Sequence, residues 1–284
     1  MIVLYYSESN ISRDILEKTL EDIKEYANRF RRFDQKRTYD AILPIDKRWL
    51  QFGLCGDTHY VNNFCDEDAI SRYYSNLWND GIRNVFHAGD MWDGCTGYNE
   101  VYRGQIHDVP FLGYDRSLEY VKEKYPKREG MVTRFISGNH EGRILEKEGV
   151  NFGSDLASVR DDLTYLQPYY ARLKLSDNPP LLLDLVHLGG GIPYTVGYSI
   201  QKYIRRIPPL SRANIFGFGH THHHEHVSAE GDDESFLVGG FQESNEFTVR
   251  KGMGSTIGGW KVRIKLSDNS PNPIERCEAT FIRC

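Results

Sequence analysis

The chain has 284 residues, 39% of them hydrophobic and 26% charged, with a formal net charge of −5 at pH 7. This is the composition of an ordinary globular protein, long enough for one α/β catalytic domain. The negative balance excludes a protein whose whole surface grips nucleic acid, yet it leaves room for a local basic groove, because steering follows the distribution of charge. Five cysteines (Cys55, Cys65, Cys95, Cys277 and Cys284) lie scattered without a C-x-x-C pair, which predicts no disulfide framework and a reducing, cytoplasmic setting. The opening MIVLYYSESN has neither a basic n-region nor a small-residue cleavage site, and no stretch is apolar for the length that crosses a bilayer, so no membrane partner is expected.

The first predicted element is a helix over about 12–32, with Ile15, Leu16, Leu20, Ile23, Ala27 and Phe30 on one face and Ser12 as its N-cap. The polar run RRFDQKRTYD follows, so residues 1–45 read as an N-terminal helical extension and 46–284 as the catalytic domain. The apolar stripe needs cover, which favours packing over a partner-binding arm. Then five short apolar runs each end in a polar, glycine-flanked cluster: WLQFGLCGDTH, NVFHAGDMWD, VTRFISGNHE, LLLDLVHLGGG and NIFGFGHTHHH. A helix is expected between the first two, over about 66–79 with Asp66 as its cap, and another over about 195–206. SFLVGGF, WKVRIKL and CEATFI continue as strands, with turn chemistry in SDNSPNP. Strands alternating with helices predict βαβ units and a largely parallel core sheet, with functional groups gathered at the carboxyl ends of the strands.

Those strand ends carry D-x-H at 57–59, G-D-x-x-D at 89–93, G-N-H-E at 138–141, a single His at 187 and G-H-x-H at 219–222. Asp, Asn and His are the donors of a mixed oxygen and nitrogen site for first-row divalent metals, and the lack of Cys argues against a zinc site closed by thiolates. Each cluster alone is weak, since a G-D dipeptide is common and a histidine at a strand end more often serves structure. The five together, in this order, resemble the calcineurin-like metallophosphoesterase family, which includes nucleases and cyclic-nucleotide phosphodiesterases; the resemblance spans about residues 50–225.

That resemblance implies an α/β fold, a four-layer α/β/β/α sandwich with two mixed β-sheets, and a centre of two divalent metal ions. Asp57, His59 and His222 would hold one ion and Asn139, His187 and His220 the other, with Asp90 bridging them. His140 would be the catalytic histidine beside the phosphate, and a metal-bridging hydroxide would attack in line. Mn²⁺ is the metal suggested by the resemblance, while the donors also suit Fe, Zn, Ni or Co. Asp93 and Glu141 read as carboxylates behind the ligands that orient a histidine.

Two departures bear on the substrate. G-N-H-E is the form found in the family's protein Ser/Thr phosphatases, but their phosphate-clamping arginines are replaced here by Gly94 and Ser137. A phosphomonoester dianion gains more from such clamps than a diester does, so the expectation leans to phosphodiester hydrolysis. Asp57 to Asp90 and His187 to His220 are each 33 residues, one strand–helix–strand step, whereas Asp90 to Asn139 is 49. The excess falls within 93–130, rich in Tyr and Gly, and is a candidate substrate wall, with an ordinary helix and loop equally open. Tyr60, Arg103, Arg143, Tyr194 and His223 are the candidate substrate contacts. His223, His224 and His226 otherwise read as a solvated rim, and His87 and His107 as structural. Y-R-G-Q at 102–105, YPK at 125–127 and H-x-G-G-G…Q at 187–201 resemble a phage and prophage subgroup, which would favour DNA or RNA as substrate. The leading expectation is a phosphodiesterase of nuclease type. Its rivals are a phosphomonoesterase on a nucleotide or small molecule, and a silent binding scaffold, against which the intact ligand set argues.

Overall fold

The computed structural model describes residues 37–94, 113–190, 195, 197–228, 233–250, 254–268 and 272–284. The helix expected over 12–32, the Y-R-G-Q block, Arg103, His107 and Tyr194 lie outside the described residues. The strands in chain order are β1 (Thr38–Asp40), β2 (Trp49–Cys55), β3 (Asn84–His87), β4 (Val132–Ser137), β5 (Leu163–Pro168) and β6 (Tyr170–Asp177). They continue with β7 (Pro180–His187), β8 (Ile215–Gly219), β9 (His224–Val227), β10 (Glu234–Val238), β11 (Gly258–Leu266) and β12 (Ile274–Arg283).

One six-stranded sheet runs β1-β6-β7-β8-β10-β9 and the other β12-β11-β2-β3-β4-β5. The motif-bearing strands are parallel neighbours: β2, β3 and β4 in one sheet, β7 and β8 in the other. Antiparallel strands β11 and β12 then extend the first group, and β6 and β9 complete the mixed character of the second sheet. Strand β11 shows why the sheets stack. In GGWKVRIKL, Trp260, Val262, Ile264 and Leu266 alternate inward while Lys261, Arg263 and Lys265 face outward, the period of two that a half-buried strand requires. Those inward residues meet Phe52, Leu54, Leu183, Leu185, Ile215 and Phe236 in the core between the sheets. Each such side chain, fully buried, stabilises the fold by about 1.5–3 kcal/mol.

Helices cover both outer faces, completing the four layers. Helices α1 (Glu67–Asn79), α2 (Tyr114–Lys124), α3 (Asn139–Glu148) and α4 (Phe152–Ser158) are followed by α5 (Tyr198–Ile204) and the short α6 (Glu246–Arg250). The first four lie on the β2–β5 sheet through Ile70, Leu77, Val121, Ile144 and Leu156, and α5 covers the second sheet through Ile200 and Ile204. Asp66 caps α1 as expected, its side chain accepting from the Ala69 N–H at 2.8 Å.

One boundary needs correction. The sandwich begins before residue 46: β1 pairs in parallel with β6, and Ala41 and Leu43 enter the core between the sheets. A polar run of sequence concealed a short edge strand, because one strand of three residues has no periodicity to read. The second half of the 93–130 segment is the helix α2, which packs Ser117 and Val121 inward and ends at a buried Tyr125. Tyr125 shares a hydrogen bond with the Tyr74 hydroxyl at 2.7 Å in the core, while Lys127 of the same YPK block is exposed and pairs with Asp161.

Candidate metal centre

Every predicted ligand cluster emerges at the carboxyl end of a strand, and parallel pairing holds these ends side by side. The loops after β2 and β3 remain hydrogen-bonded beyond their strands, with the Asp57 N–H on Gly89 O at 2.9 Å and the His59 N–H on Asp90 O at 3.0 Å. Helix α3 begins at Asn139, so Asn139 and His140 stand in its first turn, where the positive end of a helix favours an anionic ligand.

The backbone pays for this convergence. Asp57, His59, Asp90, His220 and His222 all have positive φ, at 51°, 50°, 52°, 90° and 56°. Side chains other than glycine rarely adopt this region, and such strain persists where the surroundings over-determine it, commonly at functional sites. The glycines of the motifs have a packing cause. A Cβ on Gly138 would collide with the Asp90 carboxylate and come within 2.6 Å of His187 Cε1, and one on Gly89 would come within 2.5 Å of His187 Nδ1.

The eight residues come together in two groups bridged by a third. Donor atoms of Asp57, His59 and His222 lie within 4.8 Å of one another, as do those of Asp90, His187 and His220, and those of His59, Asp90 and His140. Asn139 joins the second group, its Oδ1 lying 3.0 Å from His187 Nε2 and 2.7 Å from His220 Nδ1. Asp90 Oδ2 is 3.2 Å from His187 Nε2 and 3.9 Å from His59 Nε2, between the groups.

The arrangement fits cations. His59 Nδ1 donates to Asp93 Oδ1 at 3.0 Å, which turns Nε2 toward His222 Nε2, 3.1 Å away. Burial and the neighbouring His59 hold His222 well below its usual pKa. Two imidazole nitrogens this close suit a cation held between them. Two carboxylates, Asp57 and Asp90, would offset only part of the charge of divalent cations held there.

The titrating groups are strongly shifted. Burial pushes Asp57 well up against the pull of His187. Burial would also raise Asp90, but His187, His140 and His59 outweigh it and hold its carboxyl well below the usual range. His187 is lowered by burial, yet the charges of Asp90 and Asp57 prevail and carry it to about 9, so it pairs with Asp90 as a cation. Burial lowers His220, reinforced by His187.

Behind the candidate ligands, Asp93 Oδ1 accepts from His59 Nδ1 at 3.0 Å and stands 3.5 Å from His140 Nδ1. Glu141 does not orient a histidine. Its two oxygens accept the N–H groups of Trp92 and Gly138, each at 2.9 Å, tying the loop after β3 to the start of α3. Burial, with Asp90 beside it, raises Glu141 to about 7. Sequence reasoning missed the support of His187, whose Nδ1–H donates to Ala88 O at 2.8 Å, because a backbone carbonyl leaves no residue signature. It also missed that the Asp57 carboxylate receives the His220 N–H at 2.8 Å, joining the two sheets.

The substrate-contact candidates separate. Tyr60 is fully buried, its ring 5.3 Å from Tyr125, and cannot touch a substrate. Arg143 is half-buried one turn along α3 from Asn139 and His140, and His223 is half-buried after the G-H-T-H motif. His224 and His226 are not simply a solvated rim: their rings stack on Phe281 at 4.1 Å and on Phe236 at 4.3 Å. His87 is structural as expected, buried and pushed down to about 3 by desolvation, with Thr58 Oγ1 at 3.2 Å.

No family model and no curated protein matches the sequence. Solved structures of related chain path include Vps29 from Cryptosporidium parvum, 13% identical over 82% of this chain and 98% of that one, with a TM-score of 0.41. Zn²⁺-complexed Vps29 from Entamoeba histolytica is 13% identical over 82% and 99%, at 0.39. A predicted phosphoesterase from Streptococcus pneumoniae is 11% identical over 82% and 98%, at 0.37. The functional reading rests on the side chains of this chain. Among the described residues, no helix is long and apolar enough to cross a membrane.

Proposed function

We propose that the chain is a metal-dependent phosphoesterase of the calcineurin-like type, and within that class a phosphodiesterase acting on a DNA or RNA strand. The observation that carries the reading is the convergence of Asp57, His59, Asp90, Asn139, His140, His187, His220 and His222 from five strand ends of two sheets onto one point. Asp57, His59 and His222 hold one divalent ion, Asn139, His187 and His220 the other, and Asp90 serves both, with Mn²⁺ the proposed metal. Bound there, the ions supply Lewis-acid charge against the phosphoryl oxygens.

The chain's own groups do the rest. His140 is held at both ends, its backbone N–H on Asp90 Oδ1 at 2.9 Å and its Nδ1 against Asp93 O at 2.5 Å. That leaves Nε2 as the nitrogen that meets the phosphate, where it stabilises developing negative charge or protonates the leaving oxygen. The preference for a diester is supported at the two positions where arginine clamps are absent. Gly94 has a φ of 69°, and a Cβ there would lie 2.5 Å from the His140 carbonyl oxygen, so a longer side chain has no place. Ser137 is buried with its hydroxyl 3.4 Å from Tyr165 Oη.

The test is turnover of bis- against mono-nitrophenyl phosphate by the Mn²⁺-loaded protein, followed by cleavage of a nucleic-acid strand. The bis-ester should be the better substrate, and His140→Ala should lower turnover by on the order of 10²–10⁴ with metal content unchanged. Turnover of the mono-ester alone would refute the diester reading. Bound metal with no turnover of either would leave a binding scaffold instead.

A further inference from the structure

A second set of metal donors stands apart from the phosphoesterase centre, at an outer edge of the sandwich. His226 Nε2 lies 2.6 Å from Glu234 Oε2, and the Cys277 thiol stands beside the same residue. One donor atom from each of the three lies within 4.8 Å of the others.

The strand register explains how they meet. On β9 and β10, His226 is opposite Phe236. Glu234 is two residues before Phe236 and so occupies the same face as a diagonal neighbour, within reach of a long side chain. Phe236 is buried in the core between the sheets. On the other sheet Cys277 of β12 is opposite Ile264, which is buried in that same core, and Cys277 packs against it. Strands β9 and β12 are the last strands of their sheets. Nitrogen, oxygen and sulfur donors from both sheets are therefore turned toward one another where the sandwich opens.

We propose that His226, Glu234 and Cys277 form a zinc site that pins the free edges of the two sheets together. The donor chemistry selects the ion. A thiolate favours zinc over manganese, and a thiolate with a carboxylate neutralises a divalent charge. Three protein donors leave a fourth tetrahedral position for water. Binding exchanges the Cys277 thiol proton for the metal and releases that proton to solvent. The His226 ring is already oriented, lying 11° from parallel to Phe236 with ring centroids 4.3 Å apart. The thiolate also distinguishes this site from the phosphoesterase centre, whose candidate donors are nitrogen and oxygen alone.

The test uses that difference and is independent of phosphoesterase activity. The full chain is titrated with Co²⁺, and the near-ultraviolet thiolate-to-cobalt charge-transfer band is followed. The expected result is a band that saturates at one equivalent of this site and is displaced by Zn²⁺. It should be lost in Cys277→Ser and in His226→Ala, and retained in Asp90→Asn and in Cys95→Ser. Circular dichroism confirms that each variant is folded, and His226 is exposed enough to be truncated safely should Cys277→Ser prove unstable. A folded wild-type chain without the band, or a band that survives Cys277→Ser or His226→Ala, would overturn the proposal.

Discussion

Replacing Asp93 by Asn tests whether the centre works as its geometry implies. Asp93 is only 2% exposed, its Oδ1 accepts from His59 Nδ1 at 3.0 Å, and the same oxygen lies 3.5 Å from His140 Nδ1. Asparagine keeps the shape and one carbonyl oxygen but removes the charge that makes His59 a stronger donor through Nε2. Substitutions behind metal-bound histidines lower metal affinity by about 10–100-fold, which corresponds to about 1.4–2.7 kcal/mol. The loss should fall on one ion. His59 belongs with Asp57 and His222, whereas the group of Asn139, His187 and His220 takes its support from Ala88 O and Gly190 O. Titration of the metal-stripped protein against a chromophoric chelator resolves the two steps. In Asp93→Asn one step should drop 10–100-fold, while the other stays within about threefold because its supports are untouched. Equal affinities in variant and wild type, with the fold intact, would show that Asp93 does not tune the metal.

Two further outcomes follow from burial and charge. Tyr60 Oη is buried and makes no hydrogen bond among the described residues, so Tyr60→Phe should leave KM for the diester unchanged and thermal stability equal or higher; a several-fold rise in KM would return Tyr60 to the substrate site. His187 is raised to about 9 by its carboxylate neighbours and must lose that proton to coordinate. Its protonated form therefore dominates below that pH and competes with metal, so affinity should climb with pH until about 9, by up to about tenfold per unit. Isothermal titration at several pH values would show this as proton release on binding, and a flat profile through the neutral range would refute it.

The ligand motifs were legible because their chemistry is local. Each is a donor pair or a Gly-flanked cluster directly after an apolar run, and hydrophobic periodicity places such runs as strands. The cap at Asp66 and the strand in WKVRIKL were readable for the same reason. What sequence could not give was anything set by residues far apart in the chain. Glu141 stands next to a ligand yet serves backbone amides of another loop, and Tyr60 follows a ligand yet is turned into the core. Neighbours in sequence take opposite faces, and only packing decides which face meets water.

The sequence by itself determined the donor set and the strand ends that carry it. Tertiary structure alone decided that β2, β3 and β4 of one sheet meet β7 and β8 of the other at a single point. It alone brought Cys277 to His226 and Glu234, 43 residues or more away in the chain. Sheet pairing is the physical reason: the register between strands is set by contacts between distant segments, and no local pattern records which edges will come to face each other.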